Sequence, residues 1–152
     1  MRSAALGAVS FALLGAVCAE PIAAQTVIKD PATVRACLCA QQQVAALFGT
    51  VQQTRQDYEN SQKTLADLNQ QLETRRAQMD VYNDADVESY KQLLAQSDRA
   101  AVALADQATP SYNDALTRYN AALSDYTARC GGKSYDQAVY NSVETGLICA
   151  KP

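Results

Sequence analysis

The sequence predicts an all-α protein: a long antiparallel two-helix coiled-coil hairpin with a short C-terminal capping helix, joined by disulfides at its base. Apolar residues recur every seven positions along a stretch that contains no proline, which is the pattern of a coiled coil. Four cysteines flank this pattern. Alanine and an apolar N-terminal run supply much of the 48% hydrophobic content, so the chain has few large side chains for a compact core.

Residues 1–24 have the pattern of a cleaved secretory signal peptide. Arg2 precedes an apolar run over positions 4–17, and small residues follow this run. The run is too short to span a bilayer. We expect cleavage after Ala24, with cleavage after Ala19 as the second option.

Cys18 follows the apolar run, as a lipid-acceptor cysteine does. Bacterial lipoproteins carry a small residue just before that cysteine and usually Leu three before it, whereas this chain has Val17 and Gly15. We therefore expect no lipid and no stable membrane anchor. The expected product is a single helical-hairpin domain, residues 25–152, in the periplasm or secreted.

The first helix is predicted over about 31–81. Asp30 is placed to cap it, and Pro31 suits the first turn because its missing N–H costs nothing there. The seven-residue row consists of Val44, Val51, Tyr58, Leu65, Leu72 and Met79.

A turn is predicted at about 82–85, followed by a second helix over about 86–130. Its apolar stripe is expected to run through Val87, Tyr90, Leu94, Ser97, Ala101, Leu104 and Ala108, and then through Tyr112, Leu116, Tyr119, Leu123, Tyr126 and Cys130. The stripe shifts by one residue near Pro110, which predicts a kink or short break there.

The C-terminal cap is predicted over 134–149. Gly131 and Gly132 end the second helix, and Ser134 has the spacing of a helix-capping residue for a short helix that ends near Thr145.

The hairpin predicts how the cysteines pair. With the turn near residue 83 or 84, Cys37 faces Cys130, which leaves Cys39 to pair with Cys149. A slip of one residue in the turn allows the alternative, Cys39 with Cys130 and Cys37 with Cys149. A disulfide that closes a loop of this length contributes about 4 to 5 kcal/mol in the chain-entropy model.

The amino-acid composition argues against several classes of catalytic, metal-binding and nucleic-acid-binding function. The chain has no histidine, 13 basic and 16 acidic residues, and a net charge of −3, which argues against histidine-based catalysis, imidazole metal sites and nucleic-acid binding. Asp84, Asp86 and Glu88 lack the spacing of a calcium loop and fit the start of a helix instead. We expect no enzyme activity, cofactor or metal.

Tyrosine is the candidate for binding. Tyr112, Tyr119 and Tyr126 lie on one helical stripe and are a possible partner interface, although packing within the hairpin is the simpler explanation. Tyr58, Tyr82 and Tyr90 are expected on or near the packed surface between the helices.

Several of these features together resemble a known kind of protein. The N-terminal signal, Cys37-Leu38-Cys39 at the start of a helix rich in Gln and Ala, Tyr82-Asn83-Asp84 at the turn, and Tyr119-Asn120 followed by Cys130 are similar to small bacterial envelope proteins with a four-cysteine helical hairpin. That resemblance implies no activity. The hairpin is also similar in architecture to Skp/OmpH-type periplasmic chaperones, which are basic and do not depend on cysteines.

The resulting expectation is a non-catalytic periplasmic or secreted structural or protein-interaction module that binds an envelope protein or self-associates through its coiled coil. One alternative is a periplasmic holdase chaperone for envelope proteins. A second is a thiol-disulfide redox protein, although Cys37 and Cys39 lack the two-residue spacing that is typical of redox pairs.

Overall fold

The computed structural model describes residues 26–150. In chain order it contains strand β1 (Val27–Ile28), helix α1 (Pro31–Gln78), helix α2 (Asp84–Ala103), a π-helical turn (Leu104–Ala108), helix α3 (Thr109–Cys130), strand β2 (Ser134–Tyr135) and helix α4 (Gln137–Glu144). The prediction of a mostly helical, all-α protein is confirmed. The predicted signal peptide and Cys18 lie outside the described residues.

Helix α1 begins as the sequence predicts. Asp30 is its N-cap, and one carboxylate oxygen accepts hydrogen bonds from the backbone N–H of Thr33 (2.8 Å) and from its hydroxyl (2.5 Å). These bonds lower the pKa of Asp30, the hydroxyl bond most of all. Pro31 occupies the first turn.

The turn between the arms lies slightly earlier than predicted. Helix α1 ends at Gln78 and not near 81, and α2 begins at Asp84 and not near 86. The difference arises because Asn83 caps α2, its side-chain oxygen accepting from the backbone N–H of Ala85 at 3.1 Å. The acidic residues lie inside the first turn of the helix.

One face of α1 is buried with strict coiled-coil spacing. Between positions 44 and 79, residues at alternating steps of three and four are partly or fully buried. All the remaining residues in this range are exposed. This face, called the seam below, consists of Val44, Leu47, Val51, Thr54, Tyr58, Ser61, Leu65, Leu68, Leu72, Arg75 and Met79. The spacing is that of a and d positions in a coiled coil.

The seam faces α2, the π-helical turn and α3, which are called the return arm below. Contacts across the seam join later residues of the return arm to earlier residues of α1. The pairs are Arg75 with Ser89, Asn69 with Ser97, Tyr58 with Tyr112, Phe48 with Tyr119, and Cys37 with Cys130.

The shift of phase near Pro110 has a different cause from the one predicted. The helix continues through a π-helical turn, in which the N–H of Thr109 donates to the carbonyl of Leu104, five residues back. The Thr109 hydroxyl donates to the same carbonyl at 2.7 Å. A π turn holds one extra residue, so it advances the buried face by one position. Pro110 follows immediately, where an ordinary α-helical turn would bring its ring against the carbonyl four residues back.

Burial along the return arm shows the same one-residue shift. The partly or fully buried positions include Tyr90, Leu93, Ser97 and Ala100 before the π-helical turn, Leu104 at its first residue, and Tyr112, Ala115, Tyr119, Ala122 and Tyr126 after it. The predicted stripe was wrong at Leu94 and at Leu123, which are exposed, whereas their neighbours Leu93 and Ala122 are on the buried face.

The largest apolar core lies at the end of the molecule that holds the disulfides. Ile28, Val34, Cys37, Leu38, Cys130 and Val143 form it, with Tyr126, Tyr135, Val139, Tyr140 and Leu147 packed around them. We call this region the base.

At the base, β1 and β2 form a parallel pair that the sequence did not predict, with Val27 opposite Ser134 and Ile28 opposite Tyr135. The cap of α4 is Asp136 and not Ser134, because the Asp136 carboxylate accepts from the N–H groups of Ala138 and Val139. Ser134 instead lies in β2.

Candidate functional site: seam, base and tip

Two disulfide bonds join the base. They connect Cys37 to Cys130, with Cα atoms 5.7 Å apart, and Cys39 to Cys149, with Cα atoms 5.3 Å apart. These are the pairs that the sequence favours. Cys37 and Cys130 are 2% and 3% exposed, so the first bond lies inside the apolar core. Because disulfides persist in oxidising surroundings, the two bonds indicate a location outside the reducing cytosol.

The predicted interface tyrosines lie along the seam and pack against other residues of the same chain. Tyr112 stacks on Tyr58, with ring centroids 5.7 Å apart and planes at 21°. Tyr119 packs at a tilt on Phe48, also with centroids 5.7 Å apart. Tyr126 packs on the base core. Each of the three is partly buried, so a partner would meet only their outer edges.

The half of the seam far from the base is more polar. Ser97 is 6% exposed, and its hydroxyl donates to the side-chain oxygen of Asn69 at 2.8 Å. The Arg75 guanidinium donates to the Ser89 hydroxyl at 3.0 Å and lies 3.6 Å from the Asp86 carboxylate. A buried hydroxyl with a partner is satisfied, and these contacts set the register of α2 on α1.

Two tyrosines at the base have altered acidity. Burial, with a smaller contribution from Tyr126, raises the pKa of Tyr135. The Tyr140 hydroxyl donates to the Glu144 carboxylate at 3.0 Å, and this bond raises the pKa of Tyr140. Both effects stabilise the neutral phenol. Both side chains pack against the base core, and Tyr140 adds its hydrogen bond to Glu144.

The turn opposite the base exposes two apolar side chains, and we call it the tip, residues 79–83. Val81 is 63% exposed and Tyr82 is 94% exposed. The expectation that Tyr82 lies near the seam was wrong. The turn places Tyr82 beyond the last seam residue, Met79, where α1 has already ended.

The acidic residues beside the tip take up the helix-start role that their spacing predicts. Asp84 and Asp86 lie in the first turn of α2, where the helix dipole favours negative charge. Asp86 also pairs with Arg75. Among residues 26–150, no three His, Cys, Asp or Glu side chains are grouped closely enough to hold a metal ion.

Sequence reasoning missed the tip and the strand pair for separate reasons. Periodicity assigns an aromatic residue near a coiled coil to the packed face, and only the position of the turn shows that Tyr82 lies outside it. The strands are two residues each and lie far apart in sequence, so no local alternation marks them.

Within the described part of the chain, no helix is long and apolar enough to cross a bilayer. No family model, curated protein or solved structure matches the chain at a significant level.

Proposed function

We propose that the chain is a non-catalytic periplasmic or secreted module that acts in protein interaction through an antiparallel coiled-coil hairpin, fastened at its base by the two disulfides. The observation that supports this most is the unbroken three-and-four spacing of burial from Val44 to Met79. That spacing is typical of a coiled-coil arm over its whole length.

The proportions of the molecule favour interaction over catalysis. A helix of 48 residues extends about 70 Å, and along most of it a single narrow seam is buried. Enzyme sites usually occupy concave, largely apolar pockets. An arm of this shape offers long accessible faces to another protein and very little enclosed space for a substrate.

The disulfides support a structural role for the cysteines. Reactive cysteines lie in partly exposed surroundings that stabilise a thiolate, whereas Cys37 and Cys130 are inside the base core. Their bond compensates for the small apolar core by restricting the unfolded chain. The pattern of residues 1–24 and the oxidised cysteines together favour export as the route to this state.

The test is photocrosslinking in living cells of the source organism. A photoreactive residue is introduced singly at Gln52 on α1, at Leu123 on α3 and at Tyr119, and the products are separated by size. We expect at least one position to form a discrete adduct with another protein or with a second copy. The proposal fails if neither these positions nor the tip yields an adduct and sedimentation shows a monomer.

The holdase alternative is separated by a second measurement. A holdase suppresses aggregation of an unfolded outer-membrane protein at equimolar amounts, with little dependence on which client is used. A specific interaction module leaves such aggregation unchanged while it still forms its adduct. The redox alternative predicts that exchange of Cys39 and Cys149 for alanine abolishes function in a chain that keeps its fold.

A further inference from the structure

The tip presents a tyrosine that the fold does not use. Tyr82 is 94% exposed and its neighbour Val81 is 63% exposed. The other tyrosines of the chain, all within the described residues, are partly buried. The exposed aromatic and aliphatic side chains at the end of the arm leave apolar area in water, and burying this area against a partner would be favourable.

The backbone that carries these two side chains is held in place. The N–H of Asn83 donates to the carbonyl of Asp80 at 3.1 Å, and the N–H of Tyr82 donates to the Asp80 carboxylate at 3.0 Å. The N–H of Asp80 donates to the Asp86 carboxylate at 3.3 Å, and Asp86 faces Arg75. A turn with this many bonds is already ordered, so binding through it loses little conformational entropy.

The surroundings of Tyr82 are acidic. From Ala77 to Tyr90 the sequence contains four carboxylates and no lysine or arginine, and Arg75, Arg76 and Lys91 flank this stretch. Asp80 and Asp86 bond to the turn, and Asp84 and Glu88 are exposed beside it. Four carboxylates against these three cations leave an excess of one negative charge, and Asp80 and Asp84 are the charged residues nearest Tyr82 in sequence, so the tip favours a partner surface of the opposite sign.

We infer that the tip is the docking point of the module, with Tyr82 and Val81 inserting into an apolar pocket on a partner protein whose rim carries lysine or arginine. The inference rests on the proposed interaction function and adds where the partner binds and what its surface offers. Tyrosine is among the residues that most often dominate binding energy at the centre of an interface.

A second copy of the chain does not provide such a pocket at its own tip, because the two tips would bring like charges together. The groove beside Cys39 and Cys149 at the base has Arg129 as the charged residue in its lining. Arg129 is already paired with Asp125. We therefore take a different protein as the occupant, and an adduct whose second peptide comes from this chain would contradict this choice.

The experiment places a photoreactive residue at Val81 in the full chain, expressed in the cells of its source. A matched probe at Gln53, exposed on α1, is the control. We expect a discrete adduct from position 81 and none of the same size from position 53. Sequencing of the crosslinked peptide should show apolar residues with lysine or arginine beside them.

Substitutions then test the anchor and the charge. With the probe at position 81, Tyr82→Ala should reduce the adduct about tenfold or more, and the pair Asp84→Asn with Glu88→Gln should reduce it several-fold. Val102→Ala, which shortens an exposed side chain on the return arm, should leave it unchanged. Circular dichroism and disulfide mapping confirm that each variant keeps its fold.

Three results overturn the inference. One is an adduct at position 81 that Tyr82→Ala leaves at full yield, and another is a crosslinked peptide rich in acidic residues. In the third, adducts form from Gln52, Leu123 or Tyr119 but not from the tip, in which case the proposed function stands and the tip is not its docking point. If no position forms an adduct, both fail.

Discussion

Gly131 and Gly132 carry the chain from the end of α3 to β2, and each is required for a different reason. Gly132 has a φ of 67°, in the left-handed region that a side chain disfavours. A Cβ on Gly131 would lie 2.5 Å from the carbonyl oxygen of Thr127, which belongs to the backbone and cannot move aside. Gly49, in contrast, lies inside α1 with open space around it.

These differences predict opposite effects of the same substitution. Gly132→Ala should destabilise the protein by about 1 to 2 kcal/mol, the cost of a side chain in a left-handed conformation. Gly49→Ala should stabilise it by about 0.5 to 1 kcal/mol, because alanine loses less backbone entropy in a helix. Urea unfolding of the two variants beside the parent chain measures both, and equal signs would contradict the assignment.

Tyr135 predicts a dependence of stability on alkaline pH. Its pKa in the folded state is raised above the ordinary value of 10.0, so the neutral phenol is favoured by folding. The stabilisation is complete below pH 10 and is lost as the pH rises through the higher folded-state value. Tyr140 acts in the same direction through Glu144.

The free energy of unfolding should therefore decrease as the pH rises above 10. Tyr135→Phe should flatten part of this decrease, since phenylalanine has no proton to lose. Unfolding curves at several pH values between 8 and about 11.5 check this. A slope that is identical in the parent and in Tyr135→Phe would show that this phenol is not linked to folding.

At the scale of elements, the π-helical turn is the feature that keeps the return arm in phase. If α2 continued as an uninterrupted coiled coil, its buried row would reach Gln107, Ser111, Asp114 and Arg118, all of which are exposed. The extra residue moves the row to Tyr112, Ala115 and Tyr119. The turn thus adjusts register without ending the helix.

This explanation predicts that one residue is removable at the turn and not elsewhere. Deleting Gln107 together with Pro110→Ala should convert the π turn to α-helix, keep the same buried face and form both disulfides. Deleting Ala121 in α3 should instead rotate Tyr126 and Cys130 by about 100° away from α1 and destabilise the protein by several kcal/mol. Thermal unfolding and disulfide mapping compare the two deletions.

The contradicting outcome is a Gln107 deletion, in the Pro110→Ala background, that loses the native disulfides while the Ala121 deletion retains them. Pro110→Ala alone is the control, and it separates the effect of the ring from the effect of the missing residue.

The parts of the fold that the sequence predicts are those whose pattern lies within one short segment of the chain. The helices and the seam depend on spacing within one segment, so the row from Val44 to Met79 was readable directly. The phase shift at Pro110 was also visible, yet a kink and an inserted residue leave the same trace in sequence. The choice between them depends on backbone hydrogen bonds, such as the one from Thr109 to Leu104.

Features that depend on distant residues were harder. The pairing of β1 with β2 joins segments more than a hundred positions apart, and neither has an alternating pattern long enough to detect. The exposure of Tyr82 depends on which residue ends α1, and helix ends are less well defined by sequence than helix centres.

At the scale of the whole molecule, the two disulfides stabilise the fold by restricting the unfolded chain. Each bond closes a long loop, with a sequence separation of 93 between Cys37 and Cys130 and of 110 between Cys39 and Cys149. Once one bond is present, the other closes only the stretch between Cys130 and Cys149 and the short step between Cys37 and Cys39. The second bond therefore restricts a residual loop of only about twenty residues.

The free-energy cost of removing a disulfide should depend on whether the other disulfide is still present. Exchanging either pair for alanine should cost about 3 kcal/mol in the chain-entropy model, and exchanging both should cost about 8 kcal/mol. The larger figure is comparable to the total free energy of unfolding of a small domain, so the chain without cysteines should be largely unfolded. Guanidinium unfolding of the two double variants and the quadruple variant measures this. A double variant as unstable as the quadruple one would contradict it.

Both ends of the described chain lie at the base, where Thr26 accepts a hydrogen bond from Ser134 and Cys149 is bonded to Cys39. Whatever is attached before residue 26 or after residue 150 is therefore attached at the same pole. A surface that held the protein at residue 26 or at residue 150 would place Tyr82 about 70 Å from the point of attachment. A fluorophore or affinity tag joined directly at residue 26 or residue 150 would therefore lie at the pole opposite Tyr82.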